Sequence, residues 1–379
     1  MKTLPVTIFS GFAGAGKTAV LQHVLKNLQG LKVAVIANDT IGEDLLKEVT
    51  KIAGAGPFDY LLIESTGISE PMSMAEAFSF ADEHNVALCD VASIDTMVTV
   101  VDAKWFLDDF QSVEELRDRG IGIDDEDNRD VARVLIEQIE FANVILLNKT
   151  DLVSEEESRQ LLAVLSKLNP DARVLATEHG QVPIEEVVNT GRYQLEWAAG
   201  ADSWQNAMAG NDFGESDVYG VSSFVYRARR PFHPQRFWDF WMDGDHAPNI
   251  LRSKGYFWLA TRNAISGFWS HVGQVLAAEP GGAWWAETPR AEWPTDDPEL
   301  LAEVNSVWDE VWGDRRQELM IIVQDLEAAV VREALNACLL TDSEMQSGPS
   351  SWENLEDPFG SWDAEHVCDG THDHDHDHG

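Results

Sequence analysis

Cysteine is scarce in this chain, and so are cationic side chains. Its 379 residues include three cysteines, Cys89, Cys338 and Cys368, scattered far apart. That spacing builds no disulfide framework and suits a reducing compartment. Lysine and arginine number 27 against 66 aspartates and glutamates, a formal net charge of −39. Such a balance argues against holding nucleic acid or an anionic membrane by charge, and it attracts cations. No apolar run approaches the ~18 residues of a membrane span. Met1-Lys2-Thr3-Leu4-Pro5 passes straight into a strand pattern, with no apolar core of leader length, so a cytoplasmic protein is expected. A hydrophobic content of 44% fits an ordinary folded chain, and the length allows two domains.

What is present begins with a phosphate-cradling motif. The apolar run Pro5-Val6-Thr7-Ile8-Phe9 leads into Gly11-Phe12-Ala13-Gly14-Ala15-Gly16-Lys17-Thr18, which is G-x-x-x-x-G-K-T. Glycines here let backbone N–H groups turn inward around phosphate oxygens. Lys17 is placed to reach the β- and γ-phosphates, and the Thr18 hydroxyl to hold Mg2+. Val20, Leu21, Val24, Leu25 and Leu28 share one helical face, so a helix opens at the motif and aims its positive end at the same anions. The candidate nucleotide contacts are Gly11, Gly14, Ala15, Gly16, Lys17, Thr18 and Ala19, with Lys17 and Thr18 also catalytic candidates.

Strands and helices then alternate, which predicts a mostly parallel sheet covered on both faces, with ligands at the carboxyl ends of its strands. A second strand ends at Asn38-Asp39; Asp39 is read either as a Mg2+ ligand or as a turn or cap residue. A third delivers Glu64-Ser65-Thr66-Gly67. An acidic residue at that place is where a P-loop protein keeps the carboxylate facing Mg2+, making Glu64 a metal-binding and catalytic candidate, and Gly67 allows backbone to approach the γ-phosphate. His84 and Cys89, beside Glu83 and Asp90, are read as loop residues rather than a metal site. After a strand over residues 96–102, a very acidic linker contains Asp124-Asp125-Glu126-Asp127. A further apolar strand runs into Asn148-Lys149-Thr150-Asp151. N-K-x-D at a strand end reads guanine: Asp151 pairs with N1–H and the 2-amino group, which adenine does not present together. Asn148 supports the loop and Lys149 lies along the base, so GTP is expected over ATP.

The domains are expected as 1–192 for the nucleotide-binding part, 193–218 for a linker, 219–345 for a smaller α+β domain and 346–379 for a flexible tail. Tryptophan is concentrated in the second half, as core packing or as a partner surface. The tail alternates histidine with aspartate at His372, His374, His376 and His378, after Cys368. Extended, that tract lines its imidazoles on one side as transition-metal ligands.

Taken together, these motifs resemble the CobW-type metallochaperone GTPases, nearest the branch linked to zinc homeostasis. Residues 11–18, 64–67 and 148–151 match the family's nucleotide motifs, and 219–232 and 313–318 look like its carboxyl-terminal domain. The resemblance implies a Ras-like α/β domain followed by a smaller α+β domain, and GTP hydrolysis coupled to metal delivery. One departure stands out. The family usually carries a C-x-C-C motif between the second and third strands, on a long segment that includes switch regions, and its thiolates form an internal metal site. Here a short connection joins Asp39 to Phe58, and no cysteine precedes Cys89. The connection still spans the dozen or so residues a parallel crossover needs.

The chain is therefore expected to be a Mg2+-dependent GTPase that handles Zn2+ or another divalent transition metal for a metal-requiring client protein. Nucleic acid and membrane are not expected partners, and self-association is open. The alternative is a GTP-binding metal buffer or scaffold with little turnover.

Overall fold

The computed structural model describes residues 3–28, 30–37, 43–56, 58–79, 88–124, 126–193, 219–295 and 297–362. Asp39, His84, residues 194–218 of the linker expected over 193–218, and Cys368 with the tail histidines lie outside the described residues.

The amino-terminal half runs β1 (Leu4–Ser10), α1 (Lys17–Asn27), β2 (Val33–Ala37), α2 (Glu43–Ala55), β3 (Tyr60–Glu64), α3 (Pro71–Ser79), β4 (Ala92–Asp102), α4 (Phe106–Phe110), α5 (Val131–Glu140), β5 (Val144–Asn148), α6 (Glu155–Leu168) and β6 (Arg173–Ala176). Its six strands form one sheet in the order β2-β3-β1-β4-β5-β6, every pair parallel. β3 and β5 are buried at every position and β1 at all but one. Continuous Val/Ile/Leu runs behave this way when helices cover both faces of a sheet. A parallel sheet also brings all carboxyl ends to one edge, so the residues after β1, β3, β4, β5 and β6 gather there.

The acidic stretch after β4, expected as a linker, is instead folded against the domain. Phe106, Phe110 and Leu116 are buried in one cluster with Val131, Val134 and Leu135 of α5. Its carboxylates are held by arginines, Asp109 and Glu114 on Arg119, and Asp127 on Arg129. The aromatics decide the packing; the acidic side chains decorate its outer side.

The second half runs β7 (Val221–Ala228), α7 (Pro234–Met242), β8 (Ile250–Phe257), β9 (Ile265–Val272), β10 (Val275–Ala283), α8 (Pro298–Ser306), β11 (Gln317–Gln324) and α9 (Ala328–Cys338). The strands make an antiparallel sheet in the order β10-β9-β8-β11-β7. Alternate residues face opposite ways. Val221, Val225, Met320 and Ile322 join the core beneath α5 and α6. Phe224, Tyr226, Leu319 and Ile321 face away, packed with residues of α7 and α9. One hydrophobic cluster thus runs through both sheets' domains and fastens them together. β10 was not anticipated. Its Ala277-Ala278-Glu279-Pro280-Gly281-Gly282 lacks strand-forming side chains, and it sits at the sheet edge, where proline is tolerated.

Residue 346 does not begin a tail. After α10 (Asp342–Ser347) and α11 (Pro349–Trp352), the chain stays packed: Trp352 is 1% exposed, Phe359 lies in the second domain's core, and Asp357 pairs with Arg262. Polar, Gly- and Pro-containing sequence hid these two aromatic anchors. Half of the described tryptophans serve the same end, with Trp241, Trp258, Trp269, Trp284 and Trp293 buried besides Trp352. Among the described residues, no helix is long and apolar enough to cross a membrane.

Candidate functional site

The loop between β1 and α1 is closed on itself. Lys17 is 8% exposed, and its Nζ donates to the carbonyls of Gly11 at 2.7 Å and Phe12 at 3.2 Å. Burial lowers its pKa, an effect the nearby Glu64 carboxylate opposes. Thr18 Oγ1 donates to Glu64 Oε1 at 2.6 Å, so two of the sequence's Mg2+ candidates touch. A hydroxyl beside a carboxylate oxygen is a hard-oxygen pair of the kind Mg2+ takes. The third candidate, Asp39, lies outside the described residues, though β2 ends with Ala37 in register with Glu64.

The turn after Glu64 rests against the phosphate loop. A Cβ on Gly67 would lie 2.6 Å from the Ala13 backbone nitrogen, so only glycine lets the two backbones meet. Ser65 Oγ donates to the Phe9 carbonyl, and Ser69 Oγ to Ser65 Oγ. From the α5 side, Arg129 reaches the Ile68 carbonyl, and Gln138 the carbonyls of Gly67 and Ser69.

The N-K-x-D turn joins the same site through Asn148. Its Nδ2 donates to the Ala15 carbonyl at 3.0 Å. Its Oδ1 accepts from Thr177 Oγ1 at 3.2 Å and from the Gly180 N–H at 3.0 Å. One buried amide therefore ties three loops. Lys149 takes a left-handed φ of 62° and pairs with Asp102 at 2.5 Å. Strained backbone of this kind collects at functional sites. The Asp151 carboxylate lies 4.0 Å from His179 Nε2. Sequence reasoning missed Asp102, Thr177, His179 and Gly180. The turn Thr177-Glu178-His179-Gly180, directly after the last strand of the sheet, was the available signal. A cavity of about 370 Å³ adjoins the loop, lined by Phe12, Ala13, Asp102, Trp105 and Arg119 among others.

Among the described residues, no group of three or more His, Cys, Asp and Glu side chains is placed to hold a metal ion. Cys338 is buried, and burial pushes its thiol up to about 12, which suits packing rather than ligation. Cys89 is exposed.

A P-loop after the first strand of a parallel sheet, with N-K-x-D after the fifth, defines the P-loop nucleotide-binding proteins. Within that class the chain belongs to the CobW family. Residues 5–42 and 40–176 match its description "CobW/HypB/UreG, nucleotide-binding domain", and residues 221–339 match "Cobalamin synthesis protein cobW C-terminal domain". The first match comes in two pieces meeting at 40–42, in the connection where the C-x-C-C motif is missing. A zinc-regulated GTPase metalloprotein activator 1 of Dictyostelium discoideum is 37% identical over 400 residues, covering 94% of this chain and 84% of the relative. A zinc chaperone of Mycobacterium tuberculosis is 29% identical over 243 residues, covering 62% of this chain and 56% of the relative. A Zn(II)-bound YjiA GTPase from E. coli, known by crystallography, is 22% identical with a TM-score of 0.40, covering 90% of this chain and all 100% of that one.

Proposed function

We propose that this GTPase couples GTP hydrolysis to the delivery of a transition metal, zinc foremost, to a metal-requiring client protein in the cytoplasm. The observation that carries the nucleotide half is the contact of Thr18 with Glu64 beside a loop that Asn148 ties to the guanine-reading turn. The metal half is supported by the names of the relatives, one a zinc-regulated activator and one a zinc chaperone, and by the His/Asp tract at residues 372–378.

In this reading each group has one task. Backbone amides over residues 13–18 surround the phosphates. Lys17 exchanges its bonds to Gly11 and Phe12 for β- and γ-phosphate oxygens. Thr18 and Glu64 would hold Mg2+, which when bound neutralises charge between those phosphates. The Gly67 turn faces the γ-phosphate. Water attacks in line, and Lys17 with the loop amides stabilises the charge that develops. Asp151 accepts from guanine N1–H and the 2-amino group, while Asp102 fixes Lys149 along the base.

A second reading, a GTP-binding metal buffer with little turnover, is favoured by the family match that breaks where the internal cysteines are missing. GTP turnover with Mg2+, with and without Zn2+, on the full chain and on a chain ending at Trp362, separates the two. Delivery predicts zinc-dependent turnover. Zinc binding that disappears with the tail while turnover stays fixed and low supports the buffer. Failure to hydrolyse GTP at any zinc level overturns the delivery reading.

A further inference from the structure

We propose that Gln138 of α5 is a positioning residue for the Gly67 turn, and that α5 carries the state of that turn to the second domain through Glu140 and Arg252. The inference rests on the nucleotide reading above.

Gln138 is fully buried, at 0% exposure. Its Nε2 donates to the carbonyls of Gly67 and Ser69, each at 3.2 Å. Its backbone carbonyl accepts from Thr99 Oγ1 at 2.6 Å, and Thr99 Oγ1 lies 2.9 Å from the hydroxyl of Ser10, the residue before the phosphate loop. This one residue of α5 therefore touches the γ-phosphate-facing turn directly and the residue before the phosphate loop through the Thr99 hydroxyl. Arg129, at the amino-terminal flank of α5, holds the same turn at the Ile68 carbonyl and at Glu70.

Gln138 Oε1 is buried and has no hydrogen-bond partner among the described residues. Leaving such an acceptor unpaired is costly, and native interiors avoid it. The turn beside it is the one that must change when a γ-phosphate arrives, and a turn that reorients offers backbone N–H groups. The unpaired acceptor is placed to take an N–H of that turn once it reorients.

Two residues along the helix, Glu140 accepts from Arg252 Nε at 2.8 Å and lies 3.8 Å from Lys254 Nζ. Arg252 belongs to β8, and its side chain is 3% exposed. Its Nη1 also donates to Ser270 Oγ and to the His271 carbonyl. A buried ion pair fixed at both ends is intolerant of displacement. A shift of α5 that follows the Gly67 turn is thus felt in the second sheet, and by linkage the second sheet acts back on the turn.

The test uses the full chain carrying Gln138→Leu, Arg252→Met, or both. Arg252→Lys serves if Arg252→Met does not fold, judged by GDP binding and thermal unfolding. GDP has no γ-phosphate and does not call on the Gly67 turn. Gln138→Leu is expected to lower the ratio of GTP to GDP affinity, and kcat with it, roughly tenfold, while GDP affinity holds. Arg252→Met is expected to shift the same ratio although it lies in the other domain. The double variant should be non-additive, falling no further than the larger single effect. Equal losses for GTP and GDP would reduce Gln138 to a packing role. Additive effects, or an unchanged ratio in the Arg252 variant, would remove the relay. A wild-type chain that binds neither nucleotide would overturn the nucleotide reading itself, an outcome distinct from all of these.

Discussion

Asn148 occupies the space that Gly16 leaves: a Cβ on Gly16 would lie 2.4 Å from Asn148 Nδ2. Gly16 also takes a φ of 108°, which a side chain resists. The turn over residues 148–151 and the phosphate loop are therefore fitted to each other, not merely adjacent. Gly16→Ala should weaken GDP and GTP alike. Asn148→Ala should do the same while costing about 1–3 kcal/mol of stability, because it strips partners from the Ala15 carbonyl, Thr177 and the Gly180 N–H. Calorimetric titration with GDP and thermal unfolding check both.

Glu64→Gln keeps the size of the side chain and removes its charge. The bond from Thr18 can persist, so the fold should be unaffected. Turnover should fall roughly 100-fold, the scale of losing one electrostatic partner at a reacting phosphate, and the Mg2+ concentration for half-maximal rate should rise. Unchanged Mg2+ dependence would move the cation away from Glu64.

Asp151 is assigned to guanine's two donors. Inosine diphosphate lacks the 2-amino group, so the wild-type chain should prefer GDP to it by at least about tenfold. Asp151→Asn places an N–H where an acceptor is needed, and should abolish that preference while lowering GDP affinity. Competition binding with the two diphosphates reads this directly.

Much of this was legible in the sequence, and what was not has a physical cause. The phosphate loop, Glu64 and residues 148–151 are short motifs whose chemistry is local, and strand-end placement brought them to one edge. Asp102, Thr177 and Gly180 were missed because their role is to hold another loop, and that contact exists only once β4, β5 and β6 pair. The stretch after β4 misled by its charge. Phe106, Phe110 and Leu116 outweigh the surrounding acids because burial is decided by the few apolar side chains that find a surface.

The carboxyl-terminal boundary gives a sharper case. A chain ending at Trp362 keeps Trp352, Phe359 and the Asp357–Arg262 pair, and should unfold at the wild-type temperature. A chain ending at Ser347 loses all three. Removing two buried aromatic side chains should cost about 3 kcal/mol or more, lowering the melting temperature by several degrees, on the order of 2–4 °C per kcal/mol. Scanning calorimetry of the two truncations decides where the folded domain ends.

His271 makes the stability of the second domain depend on pH. It is 2% exposed, its ring is 4.7 Å from that of Trp241, and Nε2 lies 2.9 Å from the Gly273 carbonyl, which accepts its proton. Nδ1 has no partner. Burial, reinforced by the charge of Arg252, brings its pKa down to about 3. The unfolded chain, with an ordinary histidine pKa near ~6.5, then binds more protons than the folded one, so folding weakens as pH falls below that value. The loss approaches ~1.4 kcal/mol per pH unit and ends only near the folded pKa. Burial lowers His233 in the same direction, and carboxylates such as Glu344, held near about 2 by Arg236, add their own loss below the ordinary carboxylate range. The discriminating quantity is therefore the difference between two chains. Urea unfolding of the wild type and of His271→Gln between pH 7 and pH 5 should show the variant with the shallower dependence, by nearly one proton. Parallel curves would mean that His271 is protonated in the fold.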